Sequence, residues 1–472
     1  MNVNIVKFSD TYKSDKIFRL DSEHYQQHYI DNQNKISKFG CKKLGELILD
    51  PVITGHTPSK KIESYYNGEI ALVKTDNVRN FKITGDFTDY LTVKGNNKIK
   101  NSSLKDKDLV MTIIGAEKKI VGRSALINQS NLPANINQNV ALIRLKKDFQ
   151  PEIISAYLNS KTGRNATWYQ SRQTEQVNLN CREIEEILIP LFSKNFTQLI
   201  QSKYTEVSRL NRNIQTHFYK ANEILLKEIG LDKWKLKNDL TFENKFSSII
   251  NYGRLDAEYF QPKYERIIHL LKNKNKVEKI LDQFDLNDSN FKIEKELEYK
   301  YVEISSINIF NSEITPIELY GENLPANAKL KLNKNDLIIS KVRPYRGAIS
   351  IVDQENLIGS GAFTALTENG LVNKESLFIY LRSKPILHLI NKFNTGIEYP
   401  VIINDDVMNF PLPLIEKQVQ QNLKEIVTEI LQMNKEINFY LQEFSVSIDM
   451  AIEKNEIEAM QYLDNKKTKI LA

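Results

Sequence analysis

The chain has 472 residues, of which 41% are hydrophobic and 26% charged, with a formal net charge of +6 at pH 7. That length can bury at least two cores, and the composition excludes a disordered chain. No apolar run approaches the roughly 20 residues needed to cross a bilayer and the polar N-terminus lacks a signal-peptide core, so a cytoplasmic protein is expected. The two cysteines, Cys41 and Cys181, lie far apart and argue against a disulfide or a thiolate metal site.

The chain says nearly the same thing twice. Arg19-Leu20-Asp21-Ser22-Glu23 with Gln26 recurs 235 residues later as Arg254-Leu255-Asp256-Ala257-Glu258 with Gln261. Leu104 with Asp108-Leu109-Val110 returns as Leu332 with Asp336-Leu337-Ile338, at an offset of 228. Tyr157-Leu158 with Ser160-Lys161 returns as Tyr380-Leu381 with Ser383-Lys384, and Ile189-Pro190-Leu191 as Leu412-Pro413-Leu414, both at 223. The order is kept and the offset shrinks smoothly, as deletions in surface loops would make it. The match of 131–135 to 323–327 is a decoy, because its offset of 192 is out of register. A period this long is no solenoid. It means two copies of one unit, and pseudo-twofold symmetry suits a ligand that is itself near-symmetric or bipartite.

After an N-terminal segment, 1–35, the first globular segment spans 36–195. Its β-like runs are 69–73, 108–114 and 140–145, rich in β-branched residues and bounded by Gly, Asn and Asp; a helical patch follows near 151–162. The second segment, 276–415, repeats the scheme with 301–304, 336–340 and 374–382. Each reads as an α+β domain rich in antiparallel strands. Residues 36–195 carry 24 basic against 16 acidic side chains, and 276–415 carry 15 against 19. Even so, Lys329, Lys331, Lys334, Lys341, Arg343 and Arg346 crowd one stretch opposed only by Asp336. Such a stretch permits a phosphate-binding face without proving one.

Two long helices complete the plan, one in the central region 196–275 and one in the C-terminal region 416–472. The first seam reads Ile200, Tyr204, Val207, Asn211, Ile214, Phe218, Ala221 and Leu225. The second reads Val419, Leu423, Ile426, Ile430, Met433, Ile437, Tyr440 and Phe444, continued by Ser447 and Ala451. Both are heptad cores, and the polar Asn211 would fix register. Each seam needs an apolar partner, and the simplest solution pairs the two as an antiparallel coiled coil. The N-terminal motif should then pack near the end of the C-terminal helix, making the architecture circular.

This arrangement resembles the specificity (S) subunit of Type I restriction-modification systems. The carrying residues are the repeated Arg-Leu-Asp-x-Glu motifs, above all Arg254 to Tyr264, and the segment Gly396 to Gln421. There Gly396-Ile397-Glu398-Tyr399-Pro400 precedes an Asn404-Asp405-Asp406 helix start, and Phe410-Pro411-Leu412-Pro413-Leu414-Ile415-Glu416-Lys417-Gln418 leads into the long helix. The family shows the same succession of glycine-containing loop, Pro-Leu-Pro stretch and glutamine. The first copy, Gln176 to Gln198, keeps only Ile189-Pro190-Leu191-Phe192 where the family often has two prolines. The resemblance implies two target-recognition domains, each reading half of a split double-stranded DNA sequence, with two conserved helices setting the gap. It implies two methyltransferase (M) subunits binding S-adenosylmethionine and two restriction (R) subunits using ATP and Mg, with no cofactor in this chain. Other phage-defence or fused restriction systems use similar domains and stay open as alternatives.

The residues themselves argue for a binder rather than a catalyst. An amino-methyltransferase needs an Asp, Asn or Ser before two prolines and an aromatic residue, and no Pro-Pro pair occurs. Gly359-Ser360-Gly361 is a lone fragment, and no Walker A loop is present. His24 and His28 stand at i, i+4 without a third ligand, so a surface or interface pair is the better account. Asp239, Glu243 and Lys245 suggest a nuclease cluster only by chance. A stand-alone nuclease and a protein-binding coiled-coil scaffold are the rival functions.

Base reading needs Arg, Lys, Asn, Gln and small hydroxyls at base edges. Three loops of the first domain offer them: Lys74, Thr75, Asn77 and Arg79; then Lys118, Lys119 and Arg123; then Arg172, Gln173, Gln176 and Asn178. The in-register loops of the second domain offer Ser305, Ser306 and Asn308; then Lys341, Arg343, Tyr345 and Arg346; then Asn394, Thr395, Glu398 and Tyr399.

Overall fold

In the computed structural model, which describes residues 22–85, 87–115, 118–172, 177–395 and 400–470, the repeat in sequence is a repeat in topology. The chain divides into two compact units, Met1–Arg209 with Glu436–Ala472, and Leu210–Lys435. Each holds one lobe and part of both long helices.

In the first unit a 13-residue helix, Gln27–Phe39, leads into strand Cys41–Lys43, which pairs antiparallel with Leu188–Pro190 and ties the ends of the lobe together. The second unit repeats this with helix Pro262–Lys274, also 13 residues, and strand Val277–Lys279 paired with Pro411–Pro413. Gln26 and Gln261 stand at the two N-caps. Pro262 then suits the first helical turn, where its missing N–H would have had no partner. The prolines in the returning strands are tolerated because each ladder has only two strands.

Between these ties, each lobe packs two small sheets around one core. In the first, the order Ile53–Thr54, Val140–Ile143, Leu109–Thr112, Ser124–Leu126 is wholly antiparallel. Its companion runs Tyr90–Leu91, Tyr66–Val73, Ala134–Ile136, the last pair being parallel. The second lobe matches it with Phe284–Asn287, Phe363–Glu368, Leu337–Ser340, Ile349–Ile351, and with Ile317–Tyr320, Glu298–Val302, Leu357–Ser360. One further strand, Ala328–Leu332, extends the latter sheet. Val73, Val110, Ile136 and Val140 share the first core, and Val302, Ile338, Leu357 and Ala365 the second. Each such valine, isoleucine or leucine contributes about 1.5–3 kcal/mol on burial. The out-of-register match falls on different elements: 131–135 enters the parallel strand, whereas 323–327 precedes the added antiparallel one.

The expected helical patch near 151–162 is two helices, Pro151–Asn159 and Lys161–Gln170. Ser160 adopts an extended backbone between them, and its hydroxyl accepts the Gly163 amide at 3.1 Å. That is why the helical run breaks there. Lys374–Arg382 and Lys384–Ile390 repeat the pair.

The long helices are Lys194–Glu228, 35 residues, and Lys417–Glu453, 37 residues. At 1.5 Å per residue they run about 52 and 55 Å. Within the first unit, the rings of Tyr204 and Phe444 stack 4.6 Å apart. Within the second, His217 lies 2.7 Å from the Glu429 carboxylate, and the Glu416 amide donates to Glu228 at 3.1 Å. Rising numbers on one helix meet falling numbers on the other, so the seams pair antiparallel, as expected. Two details of the seams need correction. Leu210 is buried and Asn211 half-buried, so the first seam passes through the leucine. Gln420 and Leu441 are buried where Val419 and Tyr440 are only half-buried. The second helix packs against its lobe as well as its partner helix, which widens its buried stripe. Gln420, for instance, accepts the Asn373 amide at 2.8 Å.

Of the expected circular closure, the helix that follows the N-terminal motif meets the C-terminal helix within the first unit. Lys35 pairs with Glu453 at 3.2 Å. Asp449 accepts the amides of Lys161 and Thr162 at 3.0 and 2.9 Å, placing a carboxylate at a helix N-terminus where the dipole favours it.

Candidate nucleic-acid interface

In both lobes the fold brings the second and third loops together. In the first lobe Ile114–Gly115 pairs with Val177–Asn178, and Arg172 exchanges backbone hydrogen bonds with Asn178 at 2.9 and 3.2 Å. In the second, Val342 bridges Val401, and Thr395 exchanges bonds with Val401 at 2.9 and 3.1 Å. The second loop ends at a glycine corner in each copy, Gly122 with φ +78° and Gly347 with φ +77°, a backbone that a Cβ would strain. Arg343 also sits in the left-handed region, at φ 47°, without that freedom; its amide donates to the Pro400 carbonyl at 2.8 Å.

The first loops are different. Both form a short 3-10 turn after an equivalent strand, Thr75–Asn77 and Ile304–Ser306, and then run against the long helices. Lys82 donates to Asn438 in the first unit, and Asn434 donates to the Asn311 carbonyl at 2.9 Å in the second. Sequence alone groups three loops; the ladders join two of them.

Side chain by side chain, the candidates divide. Asn77 and Ser306 are buried, so neither faces solvent: Asn77 accepts the Lys74 amide at 3.0 Å and Ser306 accepts that of Glu303 at 3.2 Å. They shape their turns. The Thr75 hydroxyl is enclosed, and Asn308 accepts the Phe310 amide at 2.9 Å. Lys74 reaches Thr88 at 2.6 Å and is paired with Asp89, which Lys60 also approaches at 3.2 Å. Burial raises the Asp89 pKa, but the two lysines outweigh it and hold that carboxyl below its usual range. Arg79 is half-exposed, and Lys119 exposed. Lys118 is anchored instead: it binds Glu23 at 2.7 Å and lies 4.8 Å over the Tyr29 ring. Burial alone would lower its pKa, yet Glu23 and Tyr29 raise it. Arg172 pairs with Glu183, and Ser305 with Glu303.

In the second lobe, Lys341 is half-buried and burial pushes its pKa down; among the described residues no carboxylate pairs with it. Tyr345 is exposed and Arg346 half-exposed, beside Arg343. Asn394 donates to Asn391 at 2.9 Å, and the Thr395 hydroxyl donates to the Val401 carbonyl at 3.1 Å. Gln173, Gln176, Glu398 and Tyr399 lie outside the described residues, as do Arg19, Leu20 and Asp21.

The repeated acidic motif anchors the third loop, a role the sequence did not disclose. Arg254 grips Asp256 through two bonds of 2.8 and 2.7 Å and also donates to the Asn394 carbonyl at 2.8 Å. Its guanidinium lies 4.5 Å over Tyr259, while Lys392 covers the same ring at 4.9 Å and pairs with Glu265. In the first lobe Glu23 of the same motif holds Lys118 of the second loop instead, whereas its equivalent Glu258 binds Tyr264 and Lys263. His24 is buried with its ring stacked 4.0 Å from that of Tyr169, so it packs within its own unit. Among the described residues no three His, Cys, Asp or Glu side chains gather as a metal site, and no helix is long and apolar enough to cross a membrane.

No family model matches the chain. The Type I restriction enzyme HindI specificity subunit of Haemophilus influenzae is 25% identical over 218 residues, 39% of this chain and 47% of that protein, so the match spans about half of the relative's length. Among solved structures, the Type-I restriction-modification system S subunit from M. genitalium aligns at 14% identity and a TM-score of 0.33, covering 88% of this chain and 95% of that one. The HsdS subunit from Thermoanaerobacter tengcongensis aligns at 14% and 0.29, covering 88% and 96%. This chain is similar to the specificity subunit of a Type I restriction-modification system.

Proposed function

We propose that the chain is the DNA-binding specificity subunit of such a system, recognising a bipartite double-stranded target and directing partner subunits to it. The observation that carries this reading is the duplication of one loop pair: the second and third loops adjoin in each lobe, at the same glycine corner and the same bridges. Two copies of one reading surface on one chain suit a target in two parts. Lys119, Arg172 and Asn178 in one lobe, with Lys341, Arg343, Tyr345, Arg346, Asn394 and Thr395 in the other, are the side chains assigned to bases and phosphates. Gln173, Gln176 and Tyr399 join them from the sequence reading. Lys74, Thr75, Asn77, Lys118, Ser305, Ser306 and Asn308 support loop shape.

Phosphate contacts supply salt-dependent affinity, and base contacts add about 4–10 kcal/mol of discrimination over random sequence. Joining two readers turns modest half-site affinities into one tighter event when the spacing fits, and the paired helices act as that spacer. The chain itself is non-catalytic and takes no cofactor in this account. Two methyltransferase subunits bring S-adenosylmethionine, two restriction subunits bring ATP and Mg, and the complex works in the cytoplasm.

Mapping methylated adenines in the host genome, with and without this gene, tests the reading. A split motif with a fixed unread gap that vanishes on deletion is the expected result. An unchanged methylation map would refute it, and metal-dependent DNA cleavage by the purified chain alone would favour a nuclease.

A further inference from the structure

Each lobe encloses one arginine that no carboxylate accompanies among the described residues. Arg164 is 7% exposed. Its Nη2 donates to the Lys119 carbonyl at 2.8 Å, and its Nη1, which has no partner among the described residues, lies 3.2 Å from where a Cβ on Gly122 would stand. The guanidinium rests 4.7 Å over Trp168, whose indole N–H donates to the Val121 carbonyl at 3.1 Å. Arg382 donates to the Gly347 carbonyl at 3.2 Å and to the Ile309 carbonyl at 2.8 Å. It retains some exposed surface, yet its Nε is sealed from solvent without a partner among the described residues, and it lies 4.7 Å over Phe218.

These arginines are not repeat equivalents. At the offset of 223, Arg382 aligns with Asn159, which donates to the Ser124 carbonyl at 3.1 Å just past the first glycine corner. Arg164 aligns with Leu387, whose side chain lies 3.5 Å from where a Cβ on Gly347 would stand. Both positions therefore abut the corner in both lobes, and each lobe places its arginine at a different one of the two. A buried cation without a carboxylate is costly, and a methionine would fill comparable volume with less desolvation. Burial pushes Arg164 down to about 9 and Arg382 down to about 10, so both stay charged near neutral pH.

We propose that Arg164 and Arg382 are positioning residues for sequence reading: each fixes the glycine corner of its lobe's second loop from beneath and lends that loop an uncancelled positive charge. Arginine suits the task because its rigid fork reaches more than one carbonyl while its face stacks on a ring. The proposal rests on the DNA-reading function above.

Binding-site selection with the full chain and its methyltransferase subunits tests it, using Arg382→Met. Discrimination at the second half-site should fall about tenfold or more while the first half-site stays sharp. The slope of affinity against salt should change by less than one phosphate contact, because Arg382 touches backbone rather than DNA. Arg382→Lys keeps the charge but loses the planar fork and the flat face that stacks on Phe218, so it should retain affinity and still relax the second half-site. A sharp second half-site in a variant that merely melts earlier would overturn the proposal, as would failure of both variants to fold, which would make Arg382 a core strut. If the unmodified chain selects no bipartite site, the function above fails instead. Hydrogen exchange at the Arg346 and Gly347 amides, expected to speed up in Arg382→Met, then still reads the positioning role, and unchanged exchange there would end it.

Discussion

Phe444 offers the sharpest test of how the long helices pair. Its side chain is fully buried, with its ring 4.6 Å from Tyr204 and 6.5 Å from both Phe81 and Tyr440. Truncation in Phe444→Ala should cost about 3–5 kcal/mol. The aromatic stack accounts for about 0.5–1.5 kcal/mol of that beyond area alone. At 1.4 kcal/mol per factor of ten, opening around the Tyr204 contact becomes about a hundred to a few thousand times more frequent. Native-state hydrogen exchange on the full chain reads this directly, because protection should fall most in 194–209 and 436–453, the parts of the two long helices that belong to the first unit. Val446 is 37% exposed on the same helix, and Val446→Ala should stay within about 0.5 kcal/mol. If Phe444→Ala costs no more than that control, the antiparallel seam is wrong.

Other expectations follow from single contacts. Asp89→Asn should destabilise the first lobe near pH 7. Because the folded pKa of Asp89 is depressed below 3.8, the wild-type advantage should disappear as pH falls below 3.8 through that lowered value; a difference independent of pH in urea titrations would contradict this. Arg343→Gly should be more stable than Arg343→Ala by about 1 kcal/mol, since φ is 47° there, while both relax the second half-site; equal stability in denaturant melts would remove the strain argument. Deleting seven residues from each long helix removes about 10 Å, or about three base pairs at 3.4 Å each. Selection should return a shorter gap with both half-sites intact, and altered half-sites with an unchanged gap would refute the spacer.

The duplication, the long helices and their antiparallel pairing were legible because each rests on a local pattern repeated many times. Heptads in 200–225 and 419–451 state their own periodicity, and Pro-Leu-Pro marks where strand gives way to helix. At Asn211 the seam instead passes one residue earlier, through Leu210, and rejoins the heptad at Ile214, so one 3-then-4 step replaces the 4-then-3 step that the pattern predicts. The break at Ser160 could have been found from the side chain that caps the next helix. Burial of Asn77 and Ser306 could not, since a polar residue after a strand looks the same whether it faces water or closes a turn. Arg164 and Arg382 are invisible for a deeper reason: the carbonyls and the glycine corner that they meet lie far away in the chain, and a ring four residues from an arginine, such as Trp168, marks no site by itself.

A bipartite target requires that each lobe read its own half independently. Parallel binding-site selections on the full chain with its methyltransferase subunits test this, comparing wild type with Lys119→Ala/Arg172→Ala and with Lys341→Ala/Arg343→Ala/Arg346→Ala. Each variant should lose information from one half-site and keep the other half and the gap. Loss of both halves together in either variant would contradict it.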